Sequence, residues 1–145
     1  MEEPILYGVV YLLFYRNEDE VLLLKRKNTG FADGKWSVVA GRMDGAEEVK
    51  SAAIREAREE AGVTFDPSAI EVVGVIHRRN THSECVDFSL LVHSWRGEID
   101  NCEPHKCEEL KWFKVNELPE DTIPYVAAAI QKDHGSMWFE SEGWG

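Results

Sequence analysis

The sequence predicts an α/β domain. Three observations carry that reading. Short runs rich in Val, Leu, Ile and aromatic residues recur along the chain, helical patterns fall between and after them, and no linker, repeat or low-complexity stretch interrupts the alternation. At 145 residues the chain has the modal size of one domain, 1–145, and can bury a substantial core.

The elements follow in order. Ile5 to Tyr15 is rich in Val, Leu and aromatics and predicts a strand, and Asn17-Glu18-Asp19-Glu20 supplies the polar turn before a second strand near Val21 to Lys25. Asn28-Thr29-Gly30 and Asp33-Gly34 are turn signals, after which Trp36 to Ala40 reads as a short apolar strand delivering the chain to Gly41. A helix is expected from near Ala46 to Ala61, with Val49, Ala53 and Ala57 as its packed stripe and Gly62 as a left-handed cap. Alanines there permit close approach to a sheet. Glu71 to Arg79 and Val86 to Trp95 predict two strands around the polar loop Asn80 to Glu84, and Leu110 to Val115 a third. Pro124 suits the first turn of a helix running through Ile130 and ending near Gly135. Helices are thus expected on both faces of a mixed sheet.

Residues 41–62 carry the chemistry. Glu56, Glu59 and Glu60 stand at i, i+3 and i+4, so at about 100° per residue their carboxylates share one patch of helix surface. Glu59 and Glu60 fall in the last turn, where the helix dipole is negative and each carboxylate is disfavoured by roughly 0.3–1 kcal/mol before mutual repulsion is added. A bound cation reverses that sign. Clustered carboxylate oxygens are hard ligands, suited to Mg²⁺ with Mn²⁺ as a substitute, and Mg²⁺ typically bridges carboxylates to substrate phosphates. Alternatively the trio is a solvated helix face, with Arg55 and Glu59 as an ordinary ion pair four residues apart.

The complete frame G-x5-E-x7-R-E-x2-E-E-x-G, from Gly41 through Glu47, Arg55, Glu56, Glu59 and Glu60 to Gly62, resembles the Nudix box of the Nudix hydrolases, and the chain is similar to MutT-like members. The resemblance implies a Nudix-type α/β/α sandwich with a mixed β-sheet, the box forming a loop-helix-loop at its catalytic edge. It also implies that Glu56, Glu59 and Glu60 are the main metal ligands, that the Gly41 carbonyl joins them, that Arg55 orients a glutamate, and that Glu56 is the first choice of general base. Glu47 either reaches a second metal through water or supports the N-terminal turn of the helix. A carboxylate outside the box often contributes in this family, and Glu108 or Glu109 is the candidate by position. Arg26, ending the second strand, stands where some members place a substrate-contacting arginine, and Arg78 or Arg79 offers another phosphate contact. Gly41 and Gly45 read as residues tolerant of unusual dihedrals in a tight loop.

The resemblance implies a metal-dependent pyrophosphohydrolase. Its first substrate expectation is a nucleoside or deoxynucleoside triphosphate, including oxidised ones such as 8-oxo-dGTP, cleaved to monophosphate and pyrophosphate. ADP-ribose or a nucleotide sugar is the alternative substrate class, and a non-catalytic nucleotide- or protein-binding module the alternative of a different kind. Phe31, Tyr125 and Trp138 are aromatic candidates for base contact, although core packing is the commoner role of such rings.

Composition narrows the partners. A net charge of −11 opposes binding along a nucleic-acid backbone, so a small nucleotide is expected rather than a long polynucleotide. No long apolar stretch or signal pattern is evident, which predicts a cytoplasmic protein without membrane attachment, monomeric or homodimeric. Cys85, Cys102 and Cys107 are an odd set without a C-x2-C pair and read as reduced thiols, and Cys102-x2-His105-x-Cys107 matches no familiar zinc spacing. The tail from Ser136 to Gly145 covers the core, lines the site or joins a dimer interface.

Overall fold

The computed structural model of the protein describes residues 4–145. Its elements run β1 (Leu6–Arg16), β2 (Glu20–Arg26), β3 (Trp36–Ser37), β4 (Val39–Arg42), α1 (Val49–Ala61), β5 (Ile70–Arg79), β6 (Glu84–Val92), β7 (Cys107–Lys114), α2 (Pro124–Ile130) and β8 (Trp138–Glu142), with single 3-10 turns at Pro67–Ala69 and Val115–Glu117. β1 pairs antiparallel with β4 and parallel with β6, β6 antiparallel with β5, and β5 parallel with β8. β2 joins the end of β1 through Tyr15 and Arg16 and carries β3 and β7 antiparallel on its two sides.

The near-continuous apolar run of β1 is explained by cover on both faces. Val10, Leu12 and Phe14 point into a core with Ala52, Ala53, Ala57 and Ala61 of α1, while Val9, Tyr11 and Leu13 point into a second core with Val126 and Ile130 of α2. Alternation along one strand therefore builds both sides of an α/β/α sandwich. The small alanines let α1 lie close against the sheet, which places its carboxylate face at the sheet's edge.

Several boundaries differ from expectation. Trp36 to Ala40 is not one strand: β3 pairs with β2 and β4 with β1, so the chain changes partner at Val38. The first helix begins at Val49 rather than Ala46, because Gly45 and Ala46 both hold left-handed backbone angles, φ 82° and 51°, and Glu48 caps by accepting from the Ser51 N–H at 2.8 Å. β6 ends at Val92 instead of Trp95, since the His93 N–H leaves the ladder for the Ala69 carbonyl. α2 stops at Ile130.

The tail extends the sheet at its edge and stays largely exposed. Trp138 to Glu142 becomes an edge strand on β5, and a Cβ at Gly74 would fall on the Trp138 indole. Gly74→Ala is therefore expected to cost about 1–3 kcal/mol by overpacking. Urea denaturation measures it, and wild-type stability would contradict this docking of Trp138.

Candidate active site

β4 leads into a loop fastened to β1 by the Met43 N–H donating to the Gly8 carbonyl at 2.8 Å. α1 follows and ends at Gly62, φ 71°, whose N–H donates to the Arg58 carbonyl. That loop and helix set the glutamates beside β4.

Arg55 is the organising cation. Its Nη1 donates to Glu56 Oε1 at 2.9 Å and to Glu59 Oε2 at 3.2 Å, and its Nη2 donates to Glu47 Oε1 at 2.8 Å and to the Arg42 carbonyl at 3.1 Å. One guanidinium thus ties the loop to the helix. Glu47 accepts from Arg55 through both oxygens and from the Asp44 N–H, and these contacts hold its carboxyl below the usual carboxylate range. It precedes the capping residue and does not line the acidic cleft, so its place here is that of a loop anchor.

Glu56 is buried, 8% exposed, and burial raises its pKa against the opposing influence of Glu60 and Arg55. Glu60 is raised well above the ordinary value by burial, then by Glu56 and Glu103. Its Oε2 is sealed from solvent without a hydrogen-bond partner. Glu59 is exposed at the rim. Gly41 has an ordinary φ, unlike Gly45, and its requirement is steric: a Cβ there would collide with the Glu56 carboxylate.

A loop after β6 completes the cleft. The Asp100 and Cys102 N–H groups donate to the Ala61 and Glu60 carbonyls at 3.0 and 3.2 Å, closing the C-terminal end of α1. The same loop brings Glu103 to the cleft beside Glu56, Glu59, Glu60, Gly41 and Cys107. Glu103 was not legible in the sequence. Glu108 and Glu109 are both exposed and outside the cleft lining, and Glu108 pairs with Lys25 at 3.5 Å. The register of β7 on β2 shifts here, with Cys107 opposite Arg26 and Glu109 opposite Lys25, so Glu108 is left unpaired in the ladder.

The cleft, about 360 Å³, adjoins a larger cavity of about 700 Å³, and Arg26, Thr29, Ala40 and Gly41 line both. Arg26 stands at the junction, donating from Nε to the Phe31 carbonyl at 2.7 Å and from Nη2 to Thr29 Oγ1 at 3.0 Å. The larger cavity is walled by Tyr7, Phe31, Tyr125 and Arg78 and closed by the hairpin loop 80–83. Arg78 points inward and Arg79 outward against Trp144, as alternation requires. Arg78 spends Nε and Nη2 on the fully buried Asp87, at 2.7 and 3.2 Å. Trp138 is not part of this cavity.

The residues fit a divalent cation. The donors are hard oxygens, Glu60 Oε2 is an orphaned buried acceptor, and the bare backbone of Gly41 lets the Glu56 carboxylate lie against it. Among the described residues no three His, Cys, Asp or Glu side chains already converge on one point. Mg²⁺ tolerates this, since it commonly keeps several waters and uses one or two carboxylates with substrate phosphates.

Comparison with known proteins agrees with the fold and the motif. The NUDIX domain family matches residues 6–132. An oxidized purine nucleoside triphosphate hydrolase of Danio rerio is 29% identical over 130 residues, covering 84% of this chain and 80% of that protein. An 8-oxo-dGDP phosphatase of Homo sapiens is 37% identical over 113 residues, 77% of this chain but 33% of that protein. The crystal structure of a MutT NUDIX hydrolase from Burkholderia pseudomallei superposes with a TM-score of 0.80 at 26% identity, covering 88% of this chain and 97% of that one. No helix among the described residues is long and apolar enough to cross a membrane.

Proposed function

The chain belongs to the NUDIX family, and from that premise we propose that it hydrolyses a nucleoside or deoxynucleoside triphosphate to monophosphate and pyrophosphate, with oxidised purine nucleotides such as 8-oxo-dGTP as its substrates. The observation that carries this reading is the common wall of the two cavities: a nucleoside in the larger one directs its phosphates past Arg26 onto the glutamates. The names of the zebrafish and human relatives support an oxidised purine.

In this reading Glu56, Glu59, Glu60 and the Gly41 carbonyl hold Mg²⁺ or Mn²⁺, with Glu103 as the further carboxylate in place of Glu108. The bound ion supplies a more acidic water and neutralises charge on the phosphates. Glu56 accepts the proton of the attacking water, a task favoured by the burial that raises its pKa towards the working range of a general base. Arg55 keeps that carboxylate aimed and Arg26 faces the phosphates. The cell compartment is the cytoplasm, consistent with three free cysteines, and the working unit a monomer or homodimer.

Product analysis tests the proposal. With Mg²⁺, 8-oxo-dGTP is expected to give monophosphate and pyrophosphate faster than dGTP at matched concentration. Orthophosphate released from 8-oxo-dGDP alone would move the assignment to a diphosphate substrate, and turnover confined to ADP-ribose or nucleotide sugars would overturn it.

A further inference from the structure

The larger cavity has a one-sided hydrogen-bonding character. In a chain of net charge −11, no Asp or Glu among the described residues lines it, whereas Arg26, Arg42 and Arg78 all do. Each lies against a ring of the same wall: Arg26 is 5.4 Å from the Phe31 centroid, Arg42 3.8 Å from Tyr7 and Arg78 4.7 Å from Tyr125. Stacking platforms and fixed cations therefore surround the space a planar base would enter.

Arg78 is the fixed donor among them. It is 7% exposed, and Asp87, fully buried, grips Nε and Nη2. Nη2 also faces the Tyr11 hydroxyl at 3.5 Å. Nη1 makes no hydrogen bond within the described residues, yet it is not among the buried atoms lacking a partner, so it remains accessible. For a side chain so enclosed, the accessible space is the cavity it lines. The hairpin loop repeats the pattern. Asn80 Oδ1 accepts from the His82 N–H, the Ser83 N–H and the Ser83 hydroxyl, which occupies its one acceptor and leaves the Nδ2 amide as a donor. The other polar side chains of the wall are hydroxyls, the Cys85 thiol and the His82 ring, which can take either role.

Resting on the nucleotide reading above, we propose that this cavity selects a base carrying a ring carbonyl where adenine carries an amino group, and that Arg78 Nη1 donates to that oxygen. A 6-oxopurine places an acceptor before a donor that Asp87 holds in position. Adenine places a donor against a donor, leaves both unmatched, and is rejected by roughly 10-fold or more.

Inosine and adenosine nucleotides differ at this position at almost constant shape, so they are the probes. Hydrolysis of ITP and ATP with Mg²⁺, and calorimetric binding of IMP and AMP, are measured on the same protein. A kcat/KM ratio of at least about 10 for ITP over ATP, mirrored in the binding of IMP over AMP, is expected. Arg78→Lys keeps a cation for Asp87 but removes Nη1, and should pull both ratios towards one; its folding is checked by thermal melting, and the wild-type ratios stand without it. Equal or preferred use of ATP by the wild type overturns the selectivity. Ratios unchanged in folded Arg78→Lys overturn the role of Arg78. IMP bound over AMP without turnover would leave the selectivity standing and overturn the hydrolase reading instead, and neither binding nor turnover would overturn both.

Discussion

Glu60→Gln loses metal-dependent turnover by at least about 100-fold, because it deletes the charge of a ligand whose mere supporting contacts are commonly worth 10- to 100-fold in metal sites. The variant nonetheless folds. Burial raises the Glu60 pKa in the folded state above that in the unfolded chain. The stability this contributes is full below the unfolded value, near pH 4.5, and is lost as pH rises through the folded one. Glutamine mimics the protonated form at every pH. In metal-free buffer at pH 8 the variant should therefore melt at or above the wild type, and at pH 4 the two should coincide. Activity near wild type, or a melting temperature several degrees lower at pH 8, would remove Glu60 from the metal site.

Gly41→Ala is expected to reduce turnover by about 100-fold through a different route. Its Cβ would occupy the position of the Glu56 carboxylate, which must then leave both the cleft and Arg55 Nη1. The overpacking costs about 1–3 kcal/mol. Gly45→Ala is the matched control. Gly45 has φ 82° and nothing within contact of an added Cβ, so alanine strains the backbone by about 1–2 kcal/mol without touching the carboxylates. Steady-state kinetics on the two variants separates these effects: both lose stability, and only Gly41→Ala loses most of its turnover. Equal activity in the two would mean that Glu56 does not need its present position.

The helical face of Glu56, Glu59 and Glu60, the Gly62 cap and the alanine stripe were legible because local spacing alone determines them. Arg55 was legible as a partner of Glu59, but not as the joint of four groups. That required the loop from Arg42 to Glu48 to fold back, which left-handed angles at Gly45 and Ala46 bring about. Glu108 or Glu109 was the candidate by position, just before the strand expected at Leu110, whereas Glu103 left no local signal. What decides the matter is non-local: the backbone of residues 100–102 caps α1 and carries Glu103 with it. Asp87 did leave a signal, a lone acid within the apolar strand pattern. The register places it opposite Ile76, two residues along the strand from Arg78, within diagonal reach. β8 left little signal, since its acidic, exposed sequence becomes a strand through non-local pairing with β5, where Trp138 packs on the bare backbone of Gly74.

The central claim is that the carboxylates of α1 form a metal site that acts with a nucleotide. Titration of the metal-free protein with Mn²⁺ in the presence of a non-hydrolysable nucleoside triphosphate analogue, with free Mn²⁺ read by electron paramagnetic resonance, addresses it most directly. Saturable binding by the wild type that weakens at least about 10-fold in Glu60→Gln is the predicted result. Identical Mn²⁺ binding by the two proteins would contradict the account.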